Sequence, residues 1–354
     1  MYRKIQSIFK KHQCVNMNQT DEFYEDMEKC EIPLTHIEKG ITDPTLKPID
    51  ELYGAADVLS VENAKKHQRN LWLLSFFGTL VAIFFLLYDE AELHWLIFGC
   101  IMIILIIFYI NKLAERTECH RKYLQYRLLA ESLRVQYFLS KAGIDKNVGD
   151  IMPWFVKKDV PWIREVLKTV PPVNTNEKRH IINCWIRDQM KYHQKALNRT
   201  TIQKQRDKRI SRRVLYITIA TYIIALLFEI YVFATPGEIH YNLLDPVLKT
   251  LNDWGIMLSY SQTEMIRAIL KIILGTMSAA TLFTGSYYGK MSLSLTIEDH
   301  RRMAMLYEKA ENKIVQNGGE ESEDLILSLA HEFLIENSTW YAYQKKNQPS
   351  LTFE

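Results

Sequence analysis

The stretch LWLLSFFGTLVAIFFLLYDEAELHWLIFGCIMIILIIFYI, residues 71–110, decides the fold of this chain. It contains two almost unbroken apolar runs, Leu71–Tyr88 and Leu93–Ile110, separated by an acidic corner at residues 89–92. Each run has roughly the 18 apolar residues that a helix needs to cross a bilayer. Neither run has the regularly spaced polar residues that a soluble hairpin exposes to water. The stretch therefore predicts a transmembrane helical hairpin rather than the core of a soluble protein.

Two further apolar runs, Val214–Ala234 and Ile266–Tyr288, predict a third and a fourth span. Lys and Arg are concentrated before span one, after span two, before span three and after span four. The connecting turns at 89–92 and 235–264 are poor in basic residues. The positive-inside rule then places both termini and the middle region in the cytoplasm. We expect a multi-pass membrane protein.

The rest of the chain predicts charged helices around these spans, so the expected fold class is all-α, with four transmembrane helices extended into a cytosolic helical bundle. Asn111 to Lys141 lacks Gly and Pro, which predicts one helix continuing out of span two and ending at Gly143. The expected organisation is a polar, mobile or partly helical lead-in (1–48), a first helical module (49–143), a Pro- and Trp-rich connector (144–176), a second helical module (177–345) and a tail (346–354). Both modules share one plan: a charged helix, two spans and another charged helix.

Several classes of function leave no trace in the sequence. The net charge of +3 over 354 residues is too small to indicate a nucleic-acid partner, and the basic block at 204–213 adjoins a span, which favours a membrane role. The five cysteines are scattered, with no pair at C-x-x-C spacing, so neither a disulfide framework nor a metal site is predicted. No catalytic or phosphate-binding motif is present. We expect no enzyme activity and no cofactor.

Trp154 and Trp162 in the connector are expected to pack into the core.

Ionisable residues inside the apolar runs are the first candidates for function. Glu229 lies in span three, and Arg267 and Lys271 lie near the start of span four. Such groups are costly in lipid and usually face a partner or water. Glu229 and Lys271 are at comparable depth and can pair in or beside a pore. Alternatively, all three side chains extend to the outer membrane interface.

Span four is also rich in small and hydroxyl-bearing residues. Small residues allow helices to approach closely in lipid, and hydroxyl groups can hydrogen-bond across helices or line a water-filled path. Helix packing is the favoured interpretation. An oligomer that packs through span four would be consistent with both helix packing and a water-filled path. The candidate packing residues are Gly275, Ala279 and Gly285, and the candidate pore-lining residues are Thr276, Ser278 and Thr281.

The segment after the first hairpin, YRLLAESLRVQYFL at residues 126–139 followed by Ala142-Gly143-Ile144, resembles the hallmark of the SLATT family. These proteins are the SMODS and SLOG-associating two-transmembrane effectors of prokaryotes. Supporting pieces are AADVL at 55–59, WIRDQMKYH at 185–193 and ENSTW at 336–340. The resemblance covers roughly residues 50–345, as two tandem modules.

This resemblance implies an antiphage or conflict-system effector that forms an oligomeric pore in the lipid bilayer of the bacterial inner membrane. It also implies gating by a nucleotide signal that partner proteins make or sense. Only some 50 polar residues precede the first module, which is too few for a nucleotide-binding domain. We therefore expect a sensor protein on a separate chain. The alternatives are a constitutive ion channel or transporter and a non-conducting membrane scaffold.

Arg127, Glu131 and Arg134 are the candidates for oligomer formation or gating. Their three- and four-residue spacing places them on one face of the predicted helix. There they can form ion pairs within that helix or between subunits, and the sequence leaves both possibilities open.

Overall fold

The computed structural model describes residues 17–38, 43–90, 95–173, 181–234, 262–290, 293–316 and 322–346. This part of the chain is helical and contains no β-strand. Its helices are α1 (Met17–Glu28), α2 (Lys47–Glu90), α3 (Leu96–Thr117), α4 (Cys119–Lys141), α5 (Val148–Ile151), α6 (Trp154–Asp159), α7 (Pro161–Thr169), α8 (Asp188–Ala234), α9 (Gln262–Lys290), α10 (Leu293–Gln316) and α11 (Glu323–Lys346), with a π-helical turn at Ile182–Arg187 before α8.

Among the described residues, four helical segments are long and apolar enough to cross a membrane. They are Lys47–Asp89, Leu96–Lys141, Trp185–Val232 and Glu264–Thr284. Many large apolar side chains on these helices are exposed, among them Phe98 and Leu282, as expected of a surface that contacts lipid. The predicted all-α, polytopic fold is confirmed. The turns predicted at 89–92 and 235–264 fall largely outside the described residues.

Two compact units divide the chain. The first, here called the polar unit, comprises Met1–Arg69, Arg116–Thr200 and Leu295–Glu354. The second, here called the apolar unit, comprises Asn70–Glu115 and Thr201–Ser294. This division differs from the two sequential modules expected at 49–143 and 177–345, because long helices such as α2 and α8 contribute residues to both units.

Helix α4 forms the centre of the polar unit. The sequence predicts one apolar stripe along this helix, but α4 is buried on almost all sides, with Leu129, Leu133 and Leu139 inaccessible to solvent. The ring of Phe138 stacks on Trp185 with centroids 5.1 Å apart. A helix surrounded by other helices needs no polar face, which explains the difference.

The lead-in at 1–48 contributes α1 to this core. Phe23 is fully buried and packs edge-on against Tyr126. On the neighbouring turns, acidic side chains of α1 pair with basic side chains of α4: Glu22 with Arg121 at 2.7 Å, and Asp26 with Lys122 at 2.7 Å.

The helix predicted from span two to residue 141 is interrupted once. Glu118, between α3 and α4, has φ of 44°, a left-handed conformation that is uncommon outside glycine. No Gly or Asn marks this position, so the sequence does not reveal the break. The predicted end at Gly143 is confirmed. Gly143 has φ of 72°, its N–H donates to Ser140 O at 3.0 Å, and Ile144 N–H donates to Leu139 O at 3.0 Å, which forms a Schellman motif.

The two connector tryptophans have different environments. Trp162 is only 2% exposed, and its indole N–H donates to Gln125 Oε1 at 3.2 Å. Trp154, in the next helix towards the N-terminus, is 75% exposed. The prediction that both pack into the core is correct for Trp162 and wrong for Trp154.

Candidate functional site

A row of polar contacts joins α8 and α9 in the apolar unit. Thr218 Oγ1 lies 2.9 Å from Thr281 Oγ1, and Tyr222 Oη lies 3.1 Å from Ser278 Oγ. The residue numbers rise along α8 and fall along α9, so these contacts follow the antiparallel course of the two helices. Thr218 is buried between them. Hydroxyl groups therefore hold the two helices together through apolar sequence.

The row ends in an ion pair. Arg267 Nε donates to Glu229 Oε1 at 2.8 Å, and Arg267 Nη2 donates to Glu229 Oε2 at 2.8 Å. This two-point geometry is the most directional that an arginine and a carboxylate can form. By depth, the sequence offers Lys271 as a possible partner of Glu229. In the structure the two-point hydrogen bond comes from Arg267, one helical turn earlier, and Lys271 lines the same cavity as Glu229.

A cavity of about 290 Å³ lies beside this pair. Its polar lining comes from Tyr222, Glu229, Arg267 and Lys271, and leucines and an alanine complete it. Glu229 and Arg267 keep side-chain exposures of 50% and 41%. The cavity lining therefore carries both signs of charge, with one acidic and two basic side chains, and its net charge is positive.

The predicted packing residues of span four have different outcomes. A Cβ at Gly275 would lie 2.3 Å from Leu86 Cδ1, so the absence of a side chain here lets α9 approach α2 closely. Ala279 is half-buried, and so is Thr276, a predicted pore-lining residue of the same helix. Gly285 lies within α9, but its environment falls outside the described part of the structure.

Sequence reasoning missed Thr218 and Tyr222 in span three. The spacing of the hydroxyl residues is the sequence pattern that indicates this contact. Thr218 and Tyr222 are four residues apart and share a helix face, and Ser278 and Thr281 are three residues apart on the facing helix. Glu229 is the one charged residue of this apolar run and stands out in the sequence, whereas the hydroxyl residues beside it do not.

The second predicted cluster lies in the polar unit. Glu131 accepts from Arg127 at 2.9 Å and from Arg134 at 2.6 Å, and its side chain is 4% exposed. Arg134 also donates to the Tyr53 hydroxyl, and its guanidinium lies 5.0 Å from the centroid of that ring. The three predicted residues are thus brought together within one chain. Their bridging between subunits stays a prediction.

Two histidines adjoin this cluster. His193 Nδ1 lies 3.1 Å from His300 Nδ1, and the His193 ring stacks on Tyr307 at 5.9 Å. Burial, together with the positive charges of Arg127 and Arg199, lowers the pKa of His300. With neutral rings, one Nδ1–H can donate to the other Nδ1. The pair is therefore a hydrogen-bonded contact between α8 and α10.

No group of three or more His, Cys, Asp or Glu side chains in the described residues is placed to hold a metal ion. Comparisons with models of protein families, with curated proteins and with solved structures produced no match. The resemblance to the SLATT family therefore rests on the sequence segments quoted above, and the chemistry of the two clusters carries the functional argument.

Proposed function

We propose that this chain is a membrane effector of a prokaryotic antiphage or conflict system. In this proposal it assembles into an oligomer in the bacterial inner membrane and conducts ions when a partner protein signals. Its termini lie in the cytoplasm, where the basic flanks of the spans place them. The SLATT-like segment at 126–144 supports the biological context, and the polar contacts of the apolar unit support the mechanism.

The observation that carries the proposal is the Glu229–Arg267 pair at the end of the hydroxyl row. Charged groups in apolar spans are rare because desolvation is costly, and they usually face a bundle interior or water. Here both side chains remain about half exposed within a single chain. A surrounding subunit or a water-filled path removes that cost.

The same geometry supports an oligomeric assembly. If the α8 and α9 face of each subunit lines a common axis, Tyr222, Glu229, Arg267 and Lys271 contact water instead of lipid tails. The large apolar side chains of the spans then contact lipid. The net basic lining favours permeation of anions over cations, since rings of basic side chains select anions.

Gating belongs to the polar unit in this proposal. Glu131 is buried between two arginines, and removing one member of such a buried set leaves an uncompensated charge. A partner that draws Arg127 or Arg134 away from Glu131 thus changes the stability of the core of this unit. The SLATT resemblance implies that this partner is a nucleotide-responsive sensor on a separate chain.

The first test is membrane potential, followed with a voltage-sensitive dye in bacteria that express this chain. We expect depolarisation only when the genomic neighbours are co-expressed and phage is added. Depolarisation by the chain alone would favour a constitutive channel. An unchanged potential in every condition, with the protein confirmed in the membrane, would overturn the pore and favour a scaffold.

The second test examines the ion pair in purified protein reconstituted into liposomes under conditions that open the pore. Arg267→Gln removes a basic group from the lining, so we expect the ratio of chloride to potassium flux to fall several-fold. Thr221→Ala is the control, because among the described residues the Thr221 hydroxyl on α8 donates to the carbonyl of Ile217 in its own helix and forms no hydrogen bond with α9. Equal ratios in both variants would contradict a conducting role for the α8 and α9 face.

A further inference from the structure

A groove in the polar unit combines an exposed aromatic ring with lysines. It lies between α6 and α11, has a volume of about 680 Å³, and is lined chiefly by Trp154, Phe155, Lys158, Tyr341, Lys345 and Lys346. None of these residues belongs to the row of polar contacts between α8 and α9 or to the cluster of Arg127, Glu131 and Arg134. The groove therefore has no role in the function proposed above.

Trp154 is held in its exposed position by the packing of its own helix. Val156 in α6 and Val160 directly after it are buried in the core, each with 1% of its surface exposed. The Lys157 N–H donates to Pro153 O at 3.2 Å, and the Lys157 ammonium donates to the carbonyl of Asp150. Turning the indole inward would require Val156 to leave the core. The exposure of Trp154 is thus built into α6.

The described lining of the groove carries three lysines and one carboxylate, so its net charge is positive. Asp159 accepts from the Tyr341 hydroxyl at 2.8 Å and from Lys345 Nζ at 2.7 Å. Within the described residues, Lys158 and Lys346 form no ion pair. Two exposed ammonium groups therefore lie beside an exposed indole, on a framework that the Asp159 contacts hold between α6 and α11.

We propose that this groove docks an acidic segment of a partner protein that carries an aromatic side chain. The aromatic side chain stacks on Trp154, and the carboxylates pair with Lys158 and Lys346. Exposed Trp rings surrounded by polar groups are typical binding anchors, and the concave surface suits a peptide better than a flat bilayer. Nucleic acid fits less well, because the described lining offers three lysines close together rather than an extended basic stripe. The inference does not depend on pore formation.

The test uses the full-length chain in detergent and fluorescence anisotropy of a labelled peptide of glutamates around one phenylalanine. We expect binding that weakens as salt is raised and that falls about tenfold or more in Trp154→Ala. Trp154→Phe should retain part of the affinity, which separates loss of the ring from misfolding. Lys158→Gln combined with Lys346→Gln should weaken binding and reduce its salt dependence.

Two controls define specificity. Lys168→Gln removes a positive charge from α7 of the same unit, where Lys168 pairs with Glu165, and should leave peptide binding unchanged. A peptide with every glutamate replaced by glutamine should bind several-fold more weakly. Equal binding of both peptides, or unaltered binding in Trp154→Ala, would overturn the proposal. Preferential binding of phosphatidylglycerol vesicles through Trp154 would assign the groove to lipid, and Trp154-dependent self-association would assign it to a second copy.

Discussion

Asp299 on α10 shows how burial changes the chemistry of a single residue. Its carboxyl is half-buried, and burial together with the nearby Glu336 carboxylate raises its pKa to about 6, although Arg302 opposes the shift. From the sequence, Asp299 and its two neighbours, Glu298 and His300, are expected on a solvent-exposed helix face. The structure exposes Glu298 but partly buries the other two side chains.

The raised pKa predicts a pH-dependent effect of Asp299→Asn. Because the folded-state pKa lies above the unfolded value of 3.8, folding is penalised as pH rises from about 4 through about 6. The variant lacks this penalty, so we expect it to gain about 1 kcal/mol at pH 8, after allowing for solvent screening, and nothing at pH 4. Thermal unfolding in detergent measures this as a rise of about 2 °C at pH 8.

Glu298→Gln is the control for this experiment. Glu298 is exposed on the same turn and makes the smallest of the contributions that raise the pKa of Asp299. Its replacement should therefore raise the unfolding temperature at pH 8 by clearly less than Asp299→Asn does, and should change it little at pH 4. An equal gain for Asp299→Asn at pH 4 and pH 8 would show that the effect comes from shape or packing rather than ionisation.

Gly143 carries a prediction about backbone conformation. With φ of 72°, any side chain at this position is strained, so Gly143→Ala should lower the free energy of unfolding by about 1 kcal/mol. Gly143→Asn should cost less, because asparagine tolerates the left-handed region better. Chemical denaturation in detergent tests the order of stabilities. A variant with alanine that matches the wild type would contradict the role of the Schellman motif.

At the scale of elements, the close approach of α9 to α2 depends on Gly275. Its substitution by alanine overlaps Leu86, whose flexible end can move at a cost of about 1–2 kcal/mol. Leu86→Ala alone leaves a gap beside Gly275, between α2 and α9, and should lower the free energy of unfolding. We expect the double variant to recover part of the stability that Gly275→Ala loses, with a coupling of about 1 kcal/mol in a double-mutant cycle.

Unfolding of the four proteins in one detergent measures that coupling. Gly78→Ala is a matched control, because nothing lies within 4 Å of a Cβ built at Gly78 on α2. Strictly additive effects of Gly275→Ala and Leu86→Ala would contradict a direct contact between these residues.

At the scale of the whole molecule, the distribution of basic residues predicts the topology. In a background with the native cysteines replaced by serine, Ala91→Cys should react with a membrane-impermeant maleimide in intact spheroplasts. Lys146→Cys should react only after lysis, because the positive-inside rule places it in the cytoplasm. Labelling of both positions in intact cells, or of Lys146→Cys alone, would contradict the proposed orientation.

The sequence by itself determined that the chain is helical and enters the membrane, because runs such as 71–88 and 214–234 are too long and too apolar for any other environment. It also located the end of α4 at Gly143, since a left-handed residue after a helix is most often glycine. It identified Glu229 and Arg267 as unusual, because charge in an apolar run is visible without a structure.

Only the tertiary structure decided which of these groups meet. Glu229 forms its two-point hydrogen bond with Arg267 because the register of α8 against α9 is set by side-chain packing, which local pattern does not encode. Similarly, Trp154 and Trp162 are alike in sequence context, yet the packing of Val156 and Val160 turns one indole outward while the other fills the core. Periodicity reveals that a helix has a buried face, but which side chains share that face with another helix is a property of the assembled fold.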